Sequence, residues 1–362
     1  MVLTAHSHGA PQVLDALYSG DLGFAAPLFD ALANNHTYAS ALQPNGLVHA
    51  DGVGALVDTS GGDDDGFQDS EYNAVVQAWS YLGMRRVAQL GRWLGRTKEA
   101  AELDAAADTL RRAFKANMLN GTAVCDGLCT TTPHTAVHST FYALFSGLLD
   151  DDAALTSALA EHVRARAFAD TLKGVPCGAY PVQFLLAALY ADGADHGNAA
   201  HAVLTASTLH SYRHMIEAYG ATATMECWVP EELPNLSFSH VWSSSPAFLV
   251  PQFFFGLTPT SPGFATLDIR PQPGRVREGN ATLPTVRGPV AISFTQTVPG
   301  APGGCMAIRV GLPGGVRARV FVPRWGRSVV VTLDGAVVSS TELGDFAFVQ
   351  GVGAGVHTVS SC

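Results

Sequence analysis

The spacing of apolar residues changes its period once along this chain, near residue 258, and that change limits the fold more than any other feature. Upstream, Val76, Trp79, Gly83, Val87, Leu90 and Leu94 recur at steps of three and four, which puts them on one face of a helix. Gly95 should close that helix and Thr97 should cap the next, with Glu99 favourable in its first turn. Leu103, Ala107, Leu110 and Phe114 repeat the spacing, so residues 71–118 read as an αα-hairpin. Further helices are expected at 135–149, 153–168, 179–190, 196–209 and 245–256, the last kinked at Pro251. After Pro259 short alternating runs take over at 265–270, 290–296, 306–310, 318–322 and 329–333, separated by Gly and Pro clusters. Asp334-Gly335 is a two-residue hairpin signal. The expected organisation is a helical domain over 1–257 and a β-sandwich over 258–362.

Composition excludes several function classes. Hydrophobic residues make up 47% of the chain and charged residues 14%, enough for a sizeable core. Net charge is −10 and no basic run occurs, which argues against nucleic acid, since phosphate binding needs clustered cations. The longest apolar stretches, 184–190 and 247–257, are too short for a bilayer span, so no membrane partner is expected. No leader peptide is visible. Four N-x-Ser/Thr sequons, at Asn35, Asn120, Asn235 and Asn280, nevertheless suggest a secreted or endomembrane product. The six cysteines allow pairing of Cys125 with Cys129 and of Cys305 with Cys362, or free thiols.

Two metal-like patterns take ordinary readings. His134 and His138 have i,i+4 spacing but lack the glutamate of a zinc helix and a third ligand, so they read as polar residues at a helix start. Asp63-Asp64-Asp65 reads as a solvated turn before the helix near Glu71 rather than a calcium loop. No metal or cofactor is expected. Neither a phosphate loop nor a nucleophile elbow occurs.

The stretch that carries chemistry is Tyr219-Gly220-Ala221-Thr222-Ala223-Thr224-Met225-Glu226-Cys227-Trp228. It sets a carboxylate beside an indole on a turn, and sugar sites use carboxylates to move protons and flat rings to stack on pyranose faces. The stretch resembles the G-A-T-T-x-[W/M]-E-x-W signature of the bacterial and fungal α-L-rhamnosidase family. Ser239-His240-Val241-Trp242-Ser243-Ser244-Ser245-Pro246 is similar to that family's S-H-x-W-[SG]-[SA]-x-P block. Phe255-Gly256-Leu257, Pro262-Gly263-Phe264, Ile269-Arg270-Pro271 and Leu283-Pro284-Thr285 follow in the family's order. Upstream, Val57-Asp58, Asp65-Gly66-Phe67 and Asn73-Ala74-Val75-Val76 resemble its D-W-P…R-D-G-Y…N-x-V-V element.

The resemblance implies an (α/α)6 six-hairpin barrel followed by an antiparallel β-sandwich, and inverting hydrolysis of terminal α-L-rhamnosides. It makes Glu226 the general base, gives Trp228, His240 and Trp242 the pocket walls, and sends Asp58 and Asp65 to the sugar hydroxyls; a rhamnose-containing carbohydrate is the implied partner. Roughly eight helices precede the sandwich where a closed barrel needs about twelve, so either helices precede Met1 or the barrel is reduced. The family's general acid lies in a D-x-P-x-R-x-E block that this chain does not contain, while Thr59, Asp64 and Met225 depart from the usual residues. Asp63, Asp64, Asp69 and Glu71 are candidate substitutes. The alternatives are a carbohydrate-binding relative or fragment without catalysis, or a helical-barrel glycosidase acting on another sugar.

Overall fold

The structure is a computed structural model that describes residues 9–34, 39–50, 64–191, 193–298 and 303–362. Asp58, Thr59, Asp63 and the Asn35 sequon lie outside the described residues. By compactness the chain forms two units. The first comprises residues up to Leu14, Leu22–Ala191 and Thr205–Ser244; the second comprises Asp15–Asp21, Asp192–Leu204 and Ser245–Cys362.

The first unit is helical. After the first part of α1 (Gly9–Ser19, whose residues from Asp15 on belong to the second unit), α2 (Leu22–Ala25) and α3 (Phe29–Ala33) come α4 (Ala74–Trp93), α5 (Thr97–Asn117), α6 (Val137–Phe145), α7 (Ala153–Ala167) and α8 (Val182–Ala191). Helix α4 packs on α5 and α6, and α6 packs on α7 and α8. Burial alternates with the pairing. Helices α4, α6 and α8 are buried on several sides, whereas α5 buries one stripe, Ala100, Leu103, Ala107, Leu110 and Phe114. A helix apolar all round belongs inside and one with a single apolar stripe outside, so hairpins with an inner and an outer arm are built in at the level of residue pattern. The inner arms meet through rings: Trp79 lies 6.0 Å from Tyr142 and 5.2 Å from Phe184, and Tyr142 lies 4.9 Å from Phe184.

Helix ends explain where the expectations needed correction. Gly95 takes a left-handed φ of 75° and ends the first hairpin arm, as expected, but Arg96 rather than Thr97 occupies the N-cap of α5. Its guanidinium is held by Glu99 and Asp30, which fixes the turn without a side-chain cap. The helix expected over 196–209 is the shorter α9 (Asn198–Leu204). The residues after it leave helical geometry, and Leu209 and His210 donate backbone N–H groups to Leu172 and Lys173. The run around Pro251 splits into α11 (Pro246–Leu249) and a π-helical turn, Val250–Phe254. Pro251 has no N–H to give, and the ladder widens there, with Phe255 N–H bonding the Val250 carbonyl at 3.0 Å. Between these elements lies α10 (Tyr212–Tyr219).

The second unit is a β-sandwich. A short hairpin, β1 (Leu119–Asn120) and β2 (Ala123–Val124), belongs to the helical unit, so its strands begin at β3 (Leu257–Pro259). One sheet orders β10 (Ala336–Val337), β9 (Val331–Leu333), β13 (Gly355–Ser361), β7 (Met306–Leu312), β6 (Val290–Gln296) and β5 (Glu278–Leu283). The other orders β11 (Thr341–Leu343), β12 (Phe346–Val352), β8 (Arg317–Pro323), β4 (Thr266–Ile269) and β3. Pairing is antiparallel except that β4 runs parallel to β8, a departure from the purely antiparallel expectation. One core joins the sheets, with Ile292, Ile308, Val310 and Val359 facing Leu267, Ile269, Val320 and Val349. Asp334 and Gly335 have φ of 52° and 83°, the two positive values of a tight hairpin turn, and Leu333 pairs with Ala336 across it. Gly256, at φ 77°, passes so close to Arg270 that a Cβ would fall 2.1 Å from its carbonyl carbon. Both cysteine pairs considered from the sequence are bonded, Cys125–Cys129 and Cys305–Cys362, while Cys177 and Cys227 are buried free thiols.

His138 is fully buried on α6 beside Phe141, and among the described residues neither ring nitrogen has a hydrogen-bond partner. Burial alone pushes its pKa from 6.5 down to about 3. The folded state therefore keeps the ring neutral where the unfolded chain takes up a proton, so stability is lost as pH falls from about 6.5 towards 3. We expect urea unfolding between pH 6.5 and pH 4 to show a contribution of about 1.4 kcal/mol per pH unit that His138→Phe removes.

Candidate active site

The segment carrying Glu226 is set by the end of α10. Ser211 caps that helix through its Oγ, which accepts the His214 N–H at 3.1 Å. Gly220, left-handed at φ 62°, ends it, and Ala221 N–H bonds back to the Met215 carbonyl at 3.1 Å. The chain then runs in irregular but alternating fashion: Met225 and Cys227 are buried, while Thr224 and Glu226 are partly exposed.

A second stretch, residues 237–243, is laced to the first. Glu226 N–H donates to the Ser237 carbonyl and Ser237 N–H donates to Glu226 Oε2, both at 2.9 Å. His240 N–H donates to the Thr224 carbonyl at 2.8 Å, and the Thr224 hydroxyl returns a bond to the His240 carbonyl at 3.0 Å. Ser243 Oγ donates to the Met225 carbonyl, and Trp242 Nε1 donates to the Glu226 carbonyl at 3.2 Å. The polar backbone of two irregular segments is satisfied mutually, which is what allows loops to hold a side chain in place.

The Glu226 carboxylate is thus held through one oxygen. Among the described residues no hydrogen bond reaches Oε1, and the side chain is 23% exposed. His240 Nδ1 stands 3.7 Å from Oε2, and the imidazole lies 4.3 Å from the Trp242 ring. Trp242 in turn lies 5.2 Å from Tyr180, and Tyr180 meets Phe184 edge-on at 5.6 Å. A row of rings therefore leads from the inner helices to the carboxylate. Tyr180 was not singled out in the sequence, where its only signal is its place before Pro181 at the start of α8.

Of the residues expected around the site, Glu226, His240 and Trp242 come together. Trp228 follows Glu226 closely but is 1% exposed, with its indole N–H on the Cys177 carbonyl at 2.8 Å and its ring against His210 and Tyr212. It offers no free face for stacking and instead packs beneath the loop. Asp65 is engaged elsewhere. Its Oδ2 accepts the Val137 N–H at 2.9 Å, its Oδ1 pairs with Arg166, and its side chain is 12% exposed. None of the interactions described for Asp65 reaches Glu226. Asp58 lies outside the described residues. Among the acids considered as proton donors, Asp64 accepts the Gly66 N–H, Asp69 accepts from Ser70 and Asn73, and Glu71 pairs with His49.

Asp126 is a buried acid that sequence reasoning passed over. Its carboxylate accepts from the Gln68 N–H (2.9 Å), the Ala136 N–H (2.9 Å), the Ser139 hydroxyl (2.6 Å) and His134 Nδ1 (2.6 Å). With Asp65 it satisfies backbone groups at the start of α6, where no local side chain caps the helix. His134 is bound to this acid and His138 is sealed in the core, so the i,i+4 pair is divided between two structural tasks.

The family model for the bacterial alpha-L-rhamnosidase 6 hairpin glycosidase domain matches residues 17–253, and that for the bacterial alpha-L-rhamnosidase C-terminal domain matches residues 256–335. The chain belongs to the bacterial α-L-rhamnosidase family. Its helical unit is accordingly part of a six-hairpin barrel. The α-L-rhamnosidase structure from Dictyoglumus thermophilum superposes with a TM-score of 0.71 at 17% identity, covering 98% of this chain and 39% of that one. That from Aspergillus terreus gives 0.71 at 17%, covering 97% and 38%. The Streptomyces avermitilis α-L-rhamnosidase gives 0.68 at 22%, covering 95% and 31%. These likenesses establish the shared fold, and the chain spans roughly a third to two fifths of those rhamnosidases. No curated protein matches it by sequence.

Because Asp126 collects four donors in a site closed to water, Asp126→Ala leaves them unpaired. We expect a loss of about 3 kcal/mol or more in chemical denaturation, with Asp126→Asn losing less.

Proposed function

We propose that the chain carries the general-base half of an inverting α-L-rhamnosidase site, with Glu226 as the base. What supports this reading most directly is the state of that carboxylate: Oε2 is fixed by the Ser237 N–H, and Oε1 is open beside a partly exposed wall of His240 and Trp242. A base needs one fixed and one available oxygen, so that an attacking water is both oriented and deprotonated. Water adds to the anomeric carbon as the glycosidic C–O bond breaks; its proton goes to Glu226 and the leaving oxygen takes a proton from an acid on the opposite face. No residue of this chain is assigned as that acid. The rings at His240, Trp242 and Tyr180 suit the C–H face of a sugar, and the Streptomyces avermitilis relative is complexed with L-rhamnose.

The base can be tested without the acid. From an aryl α-L-rhamnoside with a strongly acidic phenol the phenolate departs without protonation, so hydrolysis depends on water activation and not on the acid. Glu226→Gln should slow it by about 10²–10⁴-fold while leaving rhamnoside binding within a few-fold. Equal rates for the two proteins would remove Glu226 from the mechanism.

The chain is further proposed to be a product of the secretory pathway, modified at its sequons. Asn120, Asn235 and Asn280 are all exposed, and the two disulfides suit an oxidising compartment. Expression through a eukaryotic secretory route should give a mass that falls on removal of N-glycans, with Asn235→Gln removing one step. An unmodified mass would refute this.

A further inference from the structure

The sandwich contains a hollow of its own. It has a volume of about 130 Å³ and lies among the π-helical turn, β3, β4, β8 and β11, bordered by Phe253, Asp268, Arg270, Gln272, Phe321 and Leu343. Strand β4 explains its character. Leu267 and Ile269 point into the sandwich core, so the intervening Asp268, like Arg270 beyond the strand, falls on the opposite face of the sheet.

Gln272 is the unusual member. Its residue is 1% exposed, its backbone N–H is used by the Phe253 carbonyl, and among the described residues neither its amide oxygen nor its amide nitrogen has a hydrogen-bond partner. An unpaired buried polar atom is destabilising, and two on one side chain beside a cavity call for an occupant that both donates and accepts. A water needs only about 10–15 Å³ of such space, so the hollow is large for one solvent molecule. Of the two charged residues at its edge, Asp268 is paired, since Arg319 grips both its oxygens at 2.6 Å, and Arg270 lies over the Phe346 ring at 5.4 Å. Phe253 and Phe321 add apolar surface to the same hollow.

We propose that this hollow is a saccharide-binding subsite, separate from the Glu226 site and taking one neutral sugar ring. With a turn of its side chain the Gln272 amide, closed to solvent in this structure, pairs with two neighbouring hydroxyls, accepting from one and donating to the other, and the phenyl groups meet the ring's C–H face. The Asp268–Arg319 pair leaves no free carboxylate to attract a cation, and a neutral ring bearing hydroxyls suits an amide that both donates and accepts. The subsite does not depend on catalysis at Glu226.

Titration calorimetry of the whole chain with L-rhamnose, D-glucose and D-galactose tests it. Wild type should bind at least one of these sugars at a site that Trp242→Ala leaves intact. Gln272→Met, which keeps the side-chain volume, should weaken that site by about tenfold or more, and Leu343→Trp, at the exposed rim, should weaken it by obstruction. Gln272→Met should also melt at or above the wild-type temperature without sugar, because it removes two unpaired atoms; this confirms that it folds. Binding that survives Gln272→Met unchanged, binding that Trp242→Ala abolishes entirely, or no binding of any of the three sugars would each overturn the subsite. The second outcome leaves the Glu226 reading standing. Sugar bound only at the Gln272 site would support the subsite while removing the sugar pocket proposed beside Glu226.

Discussion

A carboxylate on irregular backbone is useful only if that backbone cannot drift, and here the restraint is the row of rings from Trp79 and Phe184 through Tyr180 to Trp242 and His240. Its inner end is anchored in α4 and α8, where side chains are packed on several sides. Its outer end carries the indole that donates to the Glu226 carbonyl. Rigidity is thereby handed from helices to loops. The hydrogen bonds between residues 224–226 and 237–243 close the same loop from the other side, so the carboxylate inherits its position from the barrel's core rather than from its neighbours in sequence.

The hairpin architecture was legible because each arm's burial is written in its residue pattern. The α5 stripe predicted from Leu103, Ala107, Leu110 and Phe114 is the buried set, joined by Ala100. The strand expected over 290–296 coincides with β6, whose residues alternate in burial. Legibility failed where alternation fails. Strand β12 buries four consecutive residues, Phe346 to Val349, on both faces, and β13 is weakly apolar at most of its positions. A strand covered on both sides loses the period-two signal on which such reading depends. The parallel pairing of β4 with β8 is a long-range fact with no local trace.

The site was legible to a different depth. Motif order drew attention to Glu226, His240 and Trp242, and the fold brings these three together. Trp228 shows the limit of adjacency. Alternation would expose it two residues from Glu226, yet the chain bends after Cys227 and turns both residues inward. Asp65 and Asp126 show another limit: an acid before a helix looks the same whether it meets solvent, a ligand or backbone. Only the fold reveals that Asp126 holds Gln68, Ala136, Ser139 and His134 at once.

These two acids also bear on how the site stays assembled. The start of α6 has no local cap, and its first N–H groups are taken by carboxylates from distant sequence. Helix α6 carries Tyr142, which supports Phe184 and through it Tyr180 and Trp242. The acids at 65 and 126 are therefore connected to the Glu226 wall through packing rather than through any contact of their own. A family motif that contains Asp65 can then persist for two separable reasons, contact with a sugar and support of a helix that supports the sugar's wall. In this chain the two oxygens of Asp65 are committed to Val137 and Arg166, so the second reason is sufficient to account for its place.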